Sequence, residues 1–326
     1  MNIEMIEAAA ARLDGQVRRT PLLSSPFLDE IAGRRVLVKA ECLQHTGSFK
    51  FRGGWSAVSA LPEDQRRNGV IAFSSGNHAQ GVAFAARAHG IPAVIVMPSD
   101  APRLKIANTR GLGAEVVLYD RAHEDRDAIG ARLAAERNLT LIKPFDEPQV
   151  IAGQGTAGLE IAAQAAAEGV TDGDVLVCCG GGGLTSGIAL ALEAKAPGLR
   201  ARPVEPEGFD DVARSLENGA IMSNERTSGS ICDAIITPAP GKLTFPIMAR
   251  LCGSGLVVTE QQAQRAMAAA FTRLKIVLEP GGAVALAAAL YHPGQVAGDA
   301  VIAVASGGNV DADIFCDAIK RFGDGT

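Results

Sequence analysis

Residues 174–187 read DVLVCCGGGGLTSG, and this stretch decides how the chain can fold. Its first five residues form a short apolar run typical of a buried strand. Four consecutive glycines follow, and the next residues, LTSGIALALEAK at 184–195, have the length and composition of a helix. A tight turn alone would need only one or two glycines. Four of them bring several backbone N–H groups together at a helix N-terminus, which predicts a phosphate-binding loop.

The alternation of strand and helix extends through the whole chain. Further strands are predicted at 36–40, 69–73, 93–97, 115–119, 256–258 and 301–305. Helices are predicted at 77–89, 102–111, 121–137, 148–167 and 260–273, and a loop at 218–246. This alternation is typical of an α/β fold with parallel sheets. The strand and helix pairs between about 69 and 145 predict a small domain, 66–145, inserted into a large domain formed by 1–65 and 146–326.

Composition excludes several classes of protein. The chain has 326 residues, of which 47% are hydrophobic and 21% charged, which is typical of a globular protein and not of a disordered one. The net charge is −5 without blocks of like charge, so we expect no nucleic-acid partner. No signal peptide or apolar stretch of membrane length is present, and the six cysteines show no CxxC spacing. We therefore expect a cytoplasmic protein with reduced thiols.

One lysine stands in an unusual setting. The segment TGSFKFRGG at 46–54 places Lys50 at the expected start of a helix, between small residues and two phenylalanines. A lysine in apolar surroundings loses its proton more readily and can form a Schiff base with an aldehyde. On this segment alone, an ordinary surface lysine is the better interpretation.

Two more segments follow predicted strands. SSGNHAQG at 74–81 offers hydroxyl, amide and N–H groups at a helix N-terminus, which suits a carboxylate. Ser75 or Asn77 could equally cap that helix, and His78 alone is more typical of a structural histidine. ASGGNV at 305–310 adds a hydroxyl at the same edge of the sheet.

In this order, GSFKFRG (47–53), SSGNHAQG, IAGQGT (151–156), GGGGLTSG (180–187) and SGGN (306–309) resemble the fold-type II pyridoxal-phosphate enzymes. Within them the chain is similar to the serine/threonine dehydratase and serine racemase family, which includes 3-hydroxyaspartate dehydratases. The resemblance covers nearly the whole chain. It implies two parallel-sheet domains with pyridoxal 5'-phosphate in the cleft between them.

The resemblance also implies roles for particular residues. Lys50, beside Phe49, would hold the cofactor as a Schiff base, Asn77 would contact the ring hydroxyl, and Ser306 would face the ring nitrogen. The cofactor phosphate would be bound by Gly180, Gly181, Gly182, Gly183 and Leu184. The substrate would be bound by Ser75, Gly76, Asn77, His78 and Arg126. Lys50 would remove the α-proton and Ser75 would reach the opposite face, which could allow racemisation.

Two of the implied sites remain open on the residues alone. Arg126, which matches an arginine that meets a second substrate carboxylate, could instead be an exposed helix arginine paired with Glu124 or Asp127. The segment VEPEGFDD at 204–211 resembles a divalent-cation site, with Glu205 and Asp211 binding through carboxylates and Phe209 through its carbonyl. Oxygen ligands suit Mg²⁺, Ca²⁺ or Mn²⁺. A solvated acidic loop is the alternative.

The expected activity is that of a dehydratase, an ammonia-lyase that converts a small β-hydroxy-α-amino acid to a 2-oxo acid and ammonia. The substrate would be 3-hydroxyaspartate, giving iminosuccinate and then oxaloacetate, or else threonine or serine. Because the sequence ends shortly after SGGN, we expect no regulatory domain and a role in amino-acid catabolism. The alternatives are a serine- or aspartate-type racemase, a β-replacement enzyme, or a binding protein without turnover. A homodimer is the general expectation for such enzymes.

Overall fold

The computed structural model describes residues 1–74, 76–120 and 122–324. These residues form two sheets with helices packed on both faces, as the α/β prediction requires. The strands are β1 (Leu22–Ser24), β2 (Arg35–Lys39), β3 (Val70–Phe73), β4 (Ala93–Pro98), β5 (Glu115–Tyr119), β6 (Thr140–Leu141), β7 (Gly173–Cys178), β8 (Leu199–Pro206), β9 (Leu256–Val258) and β10 (Ala300–Val304). No α-helix in this part of the chain is long and apolar enough to cross a membrane.

The helices account for most of the remaining chain. They are α1 (Ile3–Leu13), α2 (Pro26–Ala32), α3 (Lys50–Ala60), α4 (Glu63–Asn68), α5 (Asn77–Ala88), α6 (Arg103–Gly111), α7 (Arg126–Arg137), α8 (Pro148–Ala167), α9 (Gly183–Lys195), α10 (Asp211–Asn218), α11 (Thr244–Leu251), α12 (Glu260–Ala269), α13 (Pro280–Tyr291) and α14 (Ala312–Phe322). A π-helical turn continues α12 to Leu274.

The six-stranded sheet has the order β1-β2-β10-β7-β8-β9, and every pair in it is parallel except β1 with β2. Successive β7 side chains face opposite sides, as the pleat requires. Val175 and Val177 pack against the layer of α8 and α9, whereas Leu176 and Cys178 pack against α13. The apolar run at 174–178 is therefore a strand buried on both faces, which is the usual environment of a parallel strand.

The four-stranded sheet has the order β5-β4-β3-β6 and is parallel throughout. Its strands all fall within 70–141, and the strands of the other sheet fall outside that range. The domain boundaries at 65/66 and 145/146 stay a prediction.

Two sequence-based expectations need correction. The helix predicted at 121–137 begins only at Arg126, because the Asp125 side chain accepts hydrogen bonds from the N–H groups of Asp127 and Ala128 and caps the helix there. Arg121 lies outside the described residues. The loop predicted at 218–246 ends earlier, since α11 begins at Thr244.

Close packing of two helices brings separate motifs together. A Cβ on Gly54 of α3 would lie 2.7 Å from the carbonyl carbon of Gly81 in α5. A Cβ on Gly81 would lie 2.7 Å from the carbonyl oxygen of Lys50. Only glycine permits this approach, which places the lysine segment beside the SSGNHAQG segment.

Candidate active site

A cavity of about 510 Å³ opens between the two sheets. It is lined by the segments that follow β3, β7 and β10, as expected where the carboxyl ends of parallel strands meet. Its size is within the range of small-molecule sites. The predicted cofactor- and substrate-binding residues that line it are Phe49, Lys50, Gly76, Asn77, His78, Arg126, Gly180, Gly181, Gly182, Gly183, Leu184 and Ser306. Ser75 lies outside the described residues.

Lys50 is the first residue of α3, and its amine faces this cavity. The Nζ atom donates a hydrogen bond to the carbonyl oxygen of Pro144 at 2.7 Å and lies 5.2 Å from the centroid of the Phe49 ring. Burial lowers the pKa of Lys50 to about 8. A lysine with this pKa is partly unprotonated near neutral pH, so it can act as a nucleophile and as a base.

The glycine loop is shaped for a ligand that approaches the backbone closely. Gly182 has φ +89°, a conformation that favours glycine, and a Cβ on Gly181 would lie 2.3 Å from the Phe145 ring. Helix α9 begins at Gly183 without a side-chain cap, so the first N–H groups of the helix are available to an anion. Thr244 Oγ1 donates to the Gly181 carbonyl at 2.6 Å and fixes the loop from behind.

Gln154, which sequence reasoning did not assign, adds a polar group at this loop. It is fully buried on α8, and neither its Oε1 nor its Nε2 has a hydrogen-bond partner among the described residues. A Cβ on Gly183 would lie 2.6 Å from Oε1. A buried amide without partners is costly unless a ligand supplies them. The glycine loop, the Gln154 amide and the Lys50 amine together fit pyridoxal phosphate, a phosphorylated aldehyde.

Asn77, His78 and Ser306 form the rest of the cavity wall. Asn77 is the first residue of α5 and does not cap it, since the N-cap is Gly76 and no side chain caps the helix. His78 is buried, with Nε2 2.9 Å from the carbonyl oxygen of Ile142. Burial, together with the Lys50 charge, lowers the pKa of His78 to about 3, so the imidazole stays neutral. Ser306 is buried just beyond β10.

The surroundings of Arg126 bear on both interpretations of its sequence. It is the first residue of α7, its side chain is 53% exposed, and its Nε lies 3.7 Å from Asp127 Oδ1. It also lines the cavity that contains Lys50. A pair this exposed and this long is weak, so the guanidinium is available to a ligand carboxylate.

Glu205, Phe209 and Asp211 lie outside this cavity, around the start of α10. Both Glu205 oxygens accept backbone N–H groups, from Val212 at 3.0 Å and Ala213 at 2.7 Å. Burial and the Asp211 charge raise the pKa of Glu205, and burial raises the pKa of Asp211 to about 7. The buried Oδ2 of Asp211 has no hydrogen-bond partner among the described residues. Two buried carboxylates with this unpartnered oxygen suit a cation, although the described residues contain no cluster of three His, Cys, Asp or Glu that could hold a metal.

Comparison with known proteins gives a consistent result. The profile of the family described as "Pyridoxal-phosphate dependent enzyme" matches residues 13–307. An L-threo-3-hydroxyaspartate ammonia-lyase from Pseudomonas sp is 45% identical over 312 residues, 96% of this chain and 96% of that protein. The crystal structure of a threonine deaminase from T.th. has a TM-score of 0.90 and 45% identity, covering 95% of this chain and 99% of that one. Maize serine racemase has a TM-score of 0.90 and 35% identity, covering 98% and 97%.

Proposed function

The chain belongs to the family of pyridoxal-phosphate dependent enzymes, and from that premise we propose that it is an ammonia-lyase for 3-hydroxyaspartate. The observation that best supports this choice of substrate is that Arg126 lines the same cavity as Lys50. Threonine and serine have one carboxylate, whereas 3-hydroxyaspartate has a second one that an arginine can bind through two parallel hydrogen bonds. The similarity to an L-threo-3-hydroxyaspartate ammonia-lyase supports the same substrate.

The chain offers a partner for each polar part of the cofactor. Lys50 would hold the aldehyde carbon, and the glycine loop with the N-terminus of α9 would hold the phosphate. Asn77 would contact the ring hydroxyl and Ser306 the ring nitrogen. When bound, pyridoxal phosphate supplies delocalisation of the negative charge that develops at the substrate α-carbon.

Lys50 is the base in this proposal. Its pKa of about 8 leaves part of the amine unprotonated at neutral pH, so Nζ can take the α-proton of the substrate. The carbonyl of Pro144, 2.7 Å from Nζ, accepts one amine hydrogen and keeps the nitrogen at the cavity wall. Neutral His78 adds no positive charge that would depress the pKa further.

The other polar groups orient the substrate. The uncapped N-terminus of α5 would bind the α-carboxylate through backbone N–H groups, and Arg126 would bind the second carboxylate. Loss of the α-proton and the β-hydroxyl removes one water from the substrate. Addition of one water then releases ammonia and leaves oxaloacetate, so the overall change is 3-hydroxyaspartate to oxaloacetate and ammonia.

The test compares substrates and two arginine variants. The kcat/KM values for each stereoisomer of 3-hydroxyaspartate, threonine and serine are measured from 2-oxo acid release, with wild type, Arg126→Ala and Arg132→Ala. Arg132 is the matched control, because it is also exposed on α7 and pairs within its helix, with Glu136. We expect Arg126→Ala to lower kcat/KM for hydroxyaspartate roughly 10- to 100-fold, the usual range for a charged hydrogen bond, and to spare threonine and serine. An equal effect on all substrates would contradict the assignment of Arg126.

Racemisation is the second candidate, favoured by the similarity to maize serine racemase. It would need a proton donor on the face of the substrate opposite Lys50, the role that the family resemblance implies for Ser75. Chiral analysis of unreacted amino acid in the same assay separates the two activities. Inversion without ammonia release would replace the ammonia-lyase proposal.

A divalent cation, a dimer and a cytoplasmic location complete the proposal. Glu205 and Asp211 would bind Mg²⁺, Ca²⁺ or Mn²⁺ through carboxylates, and Phe209 through its carbonyl. A homodimer is the general expectation for such enzymes. The six cysteines are all free and five of them are buried, which suits a reducing compartment.

A further inference from the structure

Lys105 connects the two sheets beside the cavity. It lies on α6, which packs with the four-stranded sheet, and its side chain is only 2% exposed. Its Nζ is 3.1 Å from Oε2 of Glu279, the residue immediately before α13, and 3.2 Å from Oδ2 of Asp233. Helix α13 packs on the six-stranded sheet. The Lys105–Glu279 ion pair therefore joins the layers on the two sides of the cavity.

Glu279 also accepts a hydrogen bond from the side chain of Asn77. Its Oε1 accepts a hydrogen bond from Asn77 Nδ2, and Asn77 Oδ1 accepts one from Asn309 Nδ2 at 2.8 Å. Asn309 Nδ2 also donates to the carbonyl of Thr46 at 2.7 Å. An ionised carboxylate only accepts, so the Asn77 amide is held with its nitrogen toward Glu279. The second hydrogen on Asn77 Nδ2 has no acceptor among the described residues and is available to a ligand in the cavity.

The aliphatic part of Lys105 supports the adjoining backbone. A Cβ on Gly76 would lie 2.2 Å from Lys105 Cδ, so the lysine stem occupies the space directly behind this residue. Gly76 is the N-cap of α5, whose first N–H groups have no side-chain cap. Lys105 thus contacts the backbone on one side and, through Glu279, fixes the Asn77 side chain on the other.

We propose that Lys105 and Glu279 are a positioning pair for the active site. Together they hold the Asn77 amide and the N-terminus of α5 so that the N–H groups of both point to the cofactor and to the substrate carboxylate. Removing Lys105 would leave the buried Glu279 carboxylate without its ionic partner, which is strongly unfavourable, whereas removing the Glu279 charge would leave Lys105 paired only with the partly exposed Asp233. The pair acts on cofactor binding, which follows from family membership, and it holds whichever amino acid is the substrate.

The test uses Lys105→Met, Glu279→Gln and the double variant. Each cofactor-free protein is titrated with pyridoxal phosphate, and both the Kd and the absorption maximum of the bound cofactor are measured. We expect each single variant to raise the Kd about tenfold, which corresponds to about 1.4 kcal/mol, and to shift the absorption maximum. The double variant should raise the Kd by less than the product of the two single effects, because it no longer leaves a buried Glu279 charge without Lys105.

A buried ion pair far from the cavity provides the control. Arg202 Nη1 is 2.9 Å from Asp174 Oδ2, and Asp174 is at the start of β7, at the opposite end of that strand from the glycine loop. Asp174→Asn should lower the melting temperature and leave the Kd and the absorption maximum unchanged. The proposal is overturned if Lys105→Met and Glu279→Gln behave in the same way as this control.

A conservative variant covers the case in which Glu279→Gln does not fold. Glu279→Asp keeps the charge and withdraws the carboxylate by one methylene, so both the ion pair and the bond to Asn77 lengthen. We expect the same direction of change in Kd and absorption maximum. Binding with the wild-type Kd and spectrum would show that the position of this carboxylate is unimportant and would overturn the proposal.

Discussion

Replacing Gly181 by alanine tests how closely the glycine loop is matched to the chain around it. The new Cβ would lie 2.3 Å from both Cδ2 and Cε2 of Phe145, whereas ordinary contacts begin near 3.4 Å. The ring or the loop must therefore move by about 1 Å. Phe145 follows Pro144, whose carbonyl accepts the hydrogen bond from Lys50 Nζ. A shift of Phe145 would therefore disturb the Lys50 amine as well as the glycine loop.

The expected magnitude follows from the cost of overpacking. Adding a methyl group to a well-packed site costs about 1 to 3 kcal/mol. If most of that cost falls on the cofactor-bound state, the Kd for pyridoxal phosphate rises roughly 5- to 150-fold. Titration of the cofactor-free variant, followed by visible absorption, measures this Kd directly.

Two further variants identify the cause. Gly294→Ala has nothing within 4 Å of its new Cβ and controls for the loss of a glycine, so it should bind the cofactor as wild type does. Adding Phe145→Leu to Gly181→Ala removes part of the obstructing ring and should recover part of the affinity. Wild-type affinity in Gly181→Ala, or no recovery in the double variant, would refute the steric argument.

Three other properties of the chain give predictions. The rate of cofactor loading onto cofactor-free protein should rise with pH and reach half its maximum near pH 8, because Lys50 must be unprotonated to attack the aldehyde; a flat profile in stopped-flow absorbance would contradict the lowered pKa. Asp211 has a raised pKa of about 7, so in metal-free protein its stabilising contribution is full below about pH 4 and is lost as the pH rises through about 7. Chelation should therefore lower the melting temperature of metal-loaded protein more at pH 8 than at pH 5.5, whereas equal or absent effects would count against a cation site. Arg52→Met should destabilise the fold by about 3 to 5 kcal/mol in denaturant unfolding, because it leaves the fully buried Glu41 without its ionic partner, and a loss below about 1 kcal/mol would contradict this.

Strong local patterns made most of the fold predictable. The parallel strands at 93–97, 115–119 and 174–178 are continuous apolar or β-branched runs, and they occur in the structure within one residue of these bounds. Strands β1, β6 and β8 were not predicted. Strands β1 and β6 have only three and two residues, and the sequence of β8, LRARPVEP, is interrupted by two arginines and two prolines, which hide a strand pattern. The start of α7 is set by the Asp125 cap. The sequence did not single out this residue, because Asp120 and Glu124 just upstream are also acidic.

The candidate site was predictable only where motifs are local. Lys50 and the glycine loop each lie next to a recognisable strand or helix boundary, so their chemistry is visible in sequence. Lys105, Glu279 and Gln154 lie beside residues that are more than 20 positions away in the chain. A lysine in the middle of a polar helix or a glutamine among small residues has no local signature, because burial and partners come from tertiary packing alone.

The proposed reaction is elimination of water from a β-hydroxy dicarboxylic amino acid. Its most direct test is the simultaneous measurement of ammonia and 2-oxo acid when purified, cofactor-loaded protein is given L-threo-3-hydroxyaspartate. We expect equal molar amounts of the two products and a kcat/KM higher than for any stereoisomer of threonine or serine. No ammonia from hydroxyaspartate, or a higher kcat/KM for threonine or serine, would contradict it.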